Sequence, residues 1–162
     1  METPQRMSAA QASTARSGPS LKGRALRLLA LREHTRSELE KKLARHGPDP
    51  DELRQALDEL QAKGFISEQR VLESVLHSRA SRLGARRVQQ ELQAKGVSAP
   101  AQAQALALLR DTELARAREV WRKKFGQIAT EPKERARQAR FLLARGFAGE
   151  VVRRVTQCEE AE

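Results

Sequence analysis

Apolar residues return every three or four positions along almost the whole chain from Leu21 onward, the period of one helix face. Ser20 is placed to cap a first helix carrying Leu26, Leu29 and Ala30. Thr35-Arg36-Ser37-Glu38 has the capping-box pattern and predicts a second helix, with Leu39 and Leu43 inward and Gly47 as its stop. Asp49-Pro50 opens a third, because proline at the first helical position forfeits no hydrogen bond. Its Leu53, Leu57 and Leu60 share a face; Gly64 ends it, and Phe65 and Ile66 are expected to plug the core.

The same plan recurs twice. Ser67 precedes Val71, Leu72, Val75 and Leu76; Gly84 breaks the chain; Val88 and Leu92 precede Gly96; Ser98 and Pro100 open a helix with Leu106 and Leu109. A third unit starts near Asp111 with Leu114, Ala117, Val120 and Trp121, breaks near Gly126, restarts at Pro132, stops at Gly146 and closes with Val151 and Val155. Gly47, Gly96 and Gly146 lie 49 and 50 residues apart, each preceded by a basic residue or histidine. A period of this size marks stacked supersecondary units, since one three-helix unit buries too little surface alone. No alternating run or hairpin dipeptide predicts a strand. The expected fold is all-α: three tandem three-helix, helix-turn-helix-like repeats in an elongated, curved array. The divisions are a disordered polar tail (1–20), repeats at 21–67, 68–111 and 112–158, and an acidic tail (159–162).

Composition removes several function classes. The 162 residues contain no apolar run near the ~20 that a spanning helix needs, so no membrane role is expected. Residues 1–20 lack the apolar stretch of a secretory signal, and a cytoplasmic protein is expected. A single cysteine, Cys158, rules out an intrachain disulfide framework and sits beside Glu159 and Glu160, which disfavour a thiolate. His34, His46 and His77 show no metal-ligand spacing, and no glycine-rich phosphate loop exists. No enzyme, no metal and no cofactor are expected. One Trp, four Phe and no Tyr leave no base-stacking platform.

The charge is more informative. Net charge is +10, a balance that favours an anionic partner. Residues 113–158 hold twelve basic against five acidic residues. Lys133, Arg137 and Arg140 fall on one stripe of a helix, opposite Ala139, Leu142 and Leu143. Lys123 and Lys124 lie upstream and Arg145 downstream, while Arg79, Arg82, Arg86 and Arg87 cluster around Gly84. These ten residues are the candidate contacts for phosphates or acidic side chains. Lys41 and Arg45 lie opposite Leu39 and Leu43 in the first unit, where a solvated face is the simpler reading.

Three stretches carry a family resemblance. Leu28-Leu29-Ala30-Leu31-Arg32-Glu33-His34-Thr35-Arg36-Ser37-Glu38-Leu39, followed by Lys42-Leu43 and Gly64-Phe65-Ile66, is the first. Arg79-Ala80-Ser81-Arg82-Leu83-Gly84 leading to Glu91-Leu92-Gln93-Ala94-Lys95-Gly96-Val97 is the second, and Phe141-Leu142-Leu143-Ala144-Arg145-Gly146-Phe147 the third. In this order and spacing, over about residues 21–156, the chain resembles the RecX-type regulators of the RecA recombinase. It departs from that pattern after Ile66, where Ser67-Glu68-Gln69-Arg70 stands instead of an aspartate and an aromatic-bearing helix. The resemblance implies three tandem three-helix repeats. It also implies binding to the RecA–DNA filament, with inhibition of filament growth, ATP hydrolysis, strand exchange and co-protease activity. It further implies weak, salt-sensitive contact with single- and double-stranded DNA, and a monomer is the simplest state. The alternative reading is a stand-alone basic DNA-binding repeat protein whose recognition helices begin near Arg36, Arg86 or Arg135.

Overall fold

The computed structural model describes residues 18–157. The expectations for the polar tail up to residue 17, for Cys158 and for the acidic tail lie outside the described residues. Among the described residues the chain forms helices and no strands: α1 (Leu21–Leu31), α2 (Arg36–Ala44), α3 (Pro50–Ala62), α4 (Glu68–Arg79), α5 (Ala85–Ala94), α6 (Ala99–Lys124), α7 (Pro132–Ala144) and α8 (Gly149–Thr156).

The starts follow from local chemistry. Ser20 Oγ accepts from Gly23 N, Ser67 Oγ from Arg70 N and an Asp49 carboxylate oxygen from Asp51 N. Thr35 and Glu38 form the reciprocal capping box, with Glu38 N donating to Thr35 Oγ1 at 3.1 Å and Thr35 N to Glu38 Oε2 at 2.9 Å. Each satisfies a donor that the first helical turn leaves free. Ser98 differs: its hydroxyl donates to Glu68 Oε2 at 2.9 Å instead of capping its own helix.

Three apolar clusters form the core. Ala25, Leu39, Leu43, Leu57, Leu60 and Ile66 close the first bundle. Val71, Leu72, Val75, Val88, Leu92, Val97, Ala105 and Leu109 lie in the second, and Ala117, Val120, Leu142, Phe147, Val152 and Val155 in the third. The first bundle is α1–α3, the second α4, α5 and the first part of α6, the third the rest of α6 with α7 and α8. The third helix of repeat two and the first of repeat three are therefore one helix of 26 residues, running through the expected boundary at 111/112. No glycine or proline interrupts Gln102–Lys124, so nothing in the backbone stops it. Three positions sit differently from the reading of the pattern. Phe65 is 47% exposed and only Ile66 plugs the core; Ala25 rather than Leu26 is the innermost residue of α1; Leu143 is 48% exposed, on the solvent side of α7.

Candidate interaction surface

The bundles meet through the ends of their middle helices. The C-terminal end of α5 rests on the N-terminal end of α2: Thr35 Oγ1 donates to the Lys95 carbonyl, and a Cβ on Gly96 would lie 2.7 Å from Ser37 Cβ. The C-terminal end of α7 rests in the same way on the N-terminal end of α5. Gly84 N donates to Arg145 O at 2.8 Å and Arg86 N to Gly146 O at 3.2 Å. The repeated glycine of the sequence thus ends a helix in the left-handed region (φ 78° at Gly96, 88° at Gly146) and also lets the preceding repeat come close.

The second of these junctions gathers the basic residues. Arg145 Nη1 donates to Arg82 O at 3.5 Å, and the Arg87 side-chain stem packs against Gly146. Phe141 stands beside this seam, edge to face with Phe125 at 5.3 Å between centroids. Arg145 Cζ lies 4.6 Å from its ring centroid and Lys124 Nζ 5.7 Å, so the ring holds two cations by its quadrupole. Phe141, expected only as packing, is a half-buried platform for charge.

The ten candidate residues divide by their partners. Arg79 pairs with Glu91 at 3.2 Å, Lys123 with Glu119 at 3.8 Å and Arg137 with Glu134 at 2.9 Å. Among the described residues no carboxylate lies within 4.0 Å of Arg82, Arg86, Arg87, Lys124, Lys133, Arg140 or Arg145. Arg82, Arg86, Arg87, Lys124 and Arg145 flank the seam; Lys133 and Arg140 are exposed on α7.

Beneath the seam lies a polar pair that the pattern of charges did not single out. Glu113 is 5% exposed, and its Oε1 accepts from Ala85 N and Ala148 N, each at 3.3 Å. One carboxylate thereby serves the N-terminal ends of α5 and α8, where the helix dipoles favour negative charge. One turn on, Arg116 Nη1 donates to the Ala80 and Leu83 carbonyls at 2.8 and 2.7 Å, and Nη2 to Leu109 O at 2.8 Å. Burial lowers the Arg116 pKa from its ordinary value and Glu113 opposes the shift; an arginine stays cationic at neutral pH. A signal was present in the sequence: Glu113 shares a helix face with Leu109, Ala117 and Val120, so an acid stands in an apolar stripe.

Other ionisable groups have structural roles. Burial lowers Arg36, but its bonds to Asp58 and Glu40 outweigh that and raise its pKa. Arg24 Nη1 meets His46 Nδ1 at 3.0 Å. His34 is buried and held by the Arg32 carbonyl at 2.9 Å. No cluster of metal-ligating side chains occurs among the described residues, and no described helix is long and apolar enough to cross a membrane.

Comparison with known proteins agrees with this architecture. Models of the first, second and third three-helix domains of RecX match residues 22–60, 67–106 and 111–156. A regulatory protein RecX of Leptothrix cholodnii is 54% identical over 143 residues, 88% of this chain and 91% of that one. One from Ralstonia nicotianae is 44% identical over 142 residues, 88% and 89% of the two chains. The crystal structure of RecX from Lactobacillus salivarius superimposes with a TM-score of 0.66 at 20% identity, over 85% of this chain and 92% of that one. At that identity the superposition speaks to fold.

Proposed function

The chain belongs to the RecX family of regulatory proteins, and from that premise we propose that it binds the RecA recombinase on its DNA filament and restrains filament growth, ATP hydrolysis, strand exchange and co-protease activity. It acts as a binding protein and not as an enzyme, in the cytoplasm. The observation that carries the reading is the seam where α7 meets α5, whose cations have no carboxylate within 4.0 Å among the described residues. Arg82, Arg86 and Arg87 of one repeat lie next to Lys124 and Arg145 of the other, without neutralising carboxylates among the described residues. An anionic face of a protein–DNA assembly supplies the missing partners.

The packing disfavours the reading as a stand-alone reader of DNA sequence. A recognition helix offers its N-terminal residues to base edges. The N-terminal end of α2 is covered by the following repeat, the backbone at the start of α5 is occupied by Arg145 and Gly146, and Arg36 is held by Asp58, Glu40 and Gln61. Arg135 is turned to the Ala129 and Thr130 carbonyls.

The test is ATP hydrolysis by RecA on single-stranded DNA, titrated with this protein at two salt concentrations. Inhibition at sub-stoichiometric protein, where bare DNA is scarcely bound, is the expected result. Inhibition only when the protein coats the strand would point to competition for DNA, and no inhibition would remove the proposal.

A further inference from the structure

The two junctions between bundles are made of different chemistry. The second and third bundles share α6, which passes from one core to the other without a break. They are also joined by backbone hydrogen bonds from Gly84 and Arg86, and the buried Glu113 bonds to both α5 and the start of α8. The first and second bundles share no helix. The chain crosses between them in Gly64–Ser67, and α1, α2 and α3 pack principally on each other around their own core.

What holds that first junction is polar. Lys95 Nζ reaches Glu38 Oε1 at 3.5 Å, and Arg70 Nε meets Glu33 Oε1 at 2.8 Å. Arg70 Nη2 also donates to Gly64 O at 2.7 Å, so one guanidinium ties both the first bundle and the connection to α4. The hydroxyl of Thr35 on the Lys95 carbonyl adds to these, and Gly96 lies close against Ser37. Gly64 has φ 80° and nothing within 4 Å of a Cβ position, so the connection has room to turn.

We propose that the first bundle is mounted on a hinge at Gly64–Ser67 and latched by the Lys95–Glu38 and Arg70–Glu33 ion pairs, while the second and third bundles move as one body. The Arg70–Glu33 pair, with side chains 44% and 32% exposed, loosens with ionic strength by screening, while the Lys95–Glu38 pair, 20% and 14% exposed, is screened much less and is opened by substitution. The latch also yields to a partner that competes for Lys95 or Arg70. The first bundle then adjusts its position to the surface it meets, and the other two keep theirs.

The experiment uses the full chain with Cys158→Ser and two pairs of spin labels on exposed positions. Gln55→Cys with Gln104→Cys spans the first junction; Gln104→Cys with Glu150→Cys spans the second. Distance distributions are read by double electron–electron resonance. Between about 0.05 M and 1 M NaCl, where the screening length falls to about 3 Å, the first distribution should roughly double in width and the second should hold. Lys95→Met and Arg70→Gln should widen the first distribution at low salt, with helix content by circular dichroism unchanged. If a variant fails to fold, the salt series on the unsubstituted latch decides between hinge and rigid junction. A first pair as narrow in 1 M salt as in dilute buffer, or equal broadening of both pairs, overturns the hinge.

Discussion

Gly84 and Gly146 touch backbone to backbone: a Cβ on Gly84 would lie 2.3 Å from the carbonyl carbon and oxygen of Gly146. No side chain fits there, because the obstacle is main chain fixed by the hydrogen bonds from Gly84 N and Arg86 N. Gly84→Ala should therefore force α7 off α5 and destabilise the protein by about 1–3 kcal/mol, the cost of overpacking a fitted contact. Urea unfolding should show the loss. Gly149→Ala, where nothing lies within 4 Å, should not be destabilising in the same assay.

Glu113 makes a second test of the same junction. Glu113→Ala leaves the Ala85 and Ala148 amides without their acceptor and takes an anion from beside Arg116. The expected loss is about 2 kcal/mol, since the buried Ala85 amide is left unmet while Ala148 is exposed and its amide can turn to water. Glu113→Gln keeps an acceptor oxygen and should cost about 1 kcal/mol. Trp121, the single tryptophan, packs in the third bundle with Nε1 on Gln138 Oε1 at 2.9 Å. Its fluorescence during denaturation reads the effect where it arises.

Most of the helical plan was legible because its signals are local. Thr35 with Glu38, Asp49 with Asp51 and Ser67 with Arg70 act over two or three residues, and the apolar period acts over one turn. The spacing of Gly47, Gly96 and Gly146 showed repetition, but not that Gly96 and Gly146 also seat one repeat on the previous one while Gly47 meets nothing. A contact made by an absent side chain leaves no periodic trace. The basic residues were legible as a list. Their sorting into paired and unpaired required distances between elements, as with Arg79 on Glu91 twelve residues away and Arg145 on Arg82 sixty-three away. Phe141 was read as core because a half-buried aromatic has the same sequence signature as a buried one.

Two titratable groups beside the first junction give stability a pH dependence. For His34, burial is the main cause of a pKa below the ordinary 6.5; the bond to the Arg32 carbonyl opposes it and the Arg32 charge adds to it. The unfolded chain takes up the proton at higher pH than the folded one, so His34 adds stability above 6.5 that is lost as pH falls below it. For Glu38, burial pushes the pKa up, but Arg32, the Thr35 amide and Lys95 outweigh it and hold the carboxyl below 4.5. That stability is present above 4.5 and is lost as pH falls through the lower folded value. Urea midpoints by circular dichroism should fall in two steps on acidification. His34→Gln should remove the step nearer neutrality and leave the acid one; a single step in the parent protein would contradict the assignment.

Charge reversal separates the cations without a described carboxylate partner from the paired ones. Arg86 and Arg140 are exposed and lack a described carboxylate within 4.0 Å, so Arg86→Glu and Arg140→Glu should leave unfolding midpoints almost unchanged, the usual result at such surface positions. If the seam and the exposed face of α7 meet an anionic surface of the RecA–DNA filament, each reversal replaces attraction with repulsion. The concentration needed for half-inhibition of ATP hydrolysis should then rise at least about tenfold, roughly 1.4 kcal/mol of binding. Arg79→Glu is the control, matched in charge change: Arg79 is already engaged with Glu91, so its reversal should shift inhibition less. Equal effects from all three substitutions would mean that net charge matters and the seam does not. No effect from Arg86→Glu or Arg140→Glu would move the contact surface elsewhere on the three bundles.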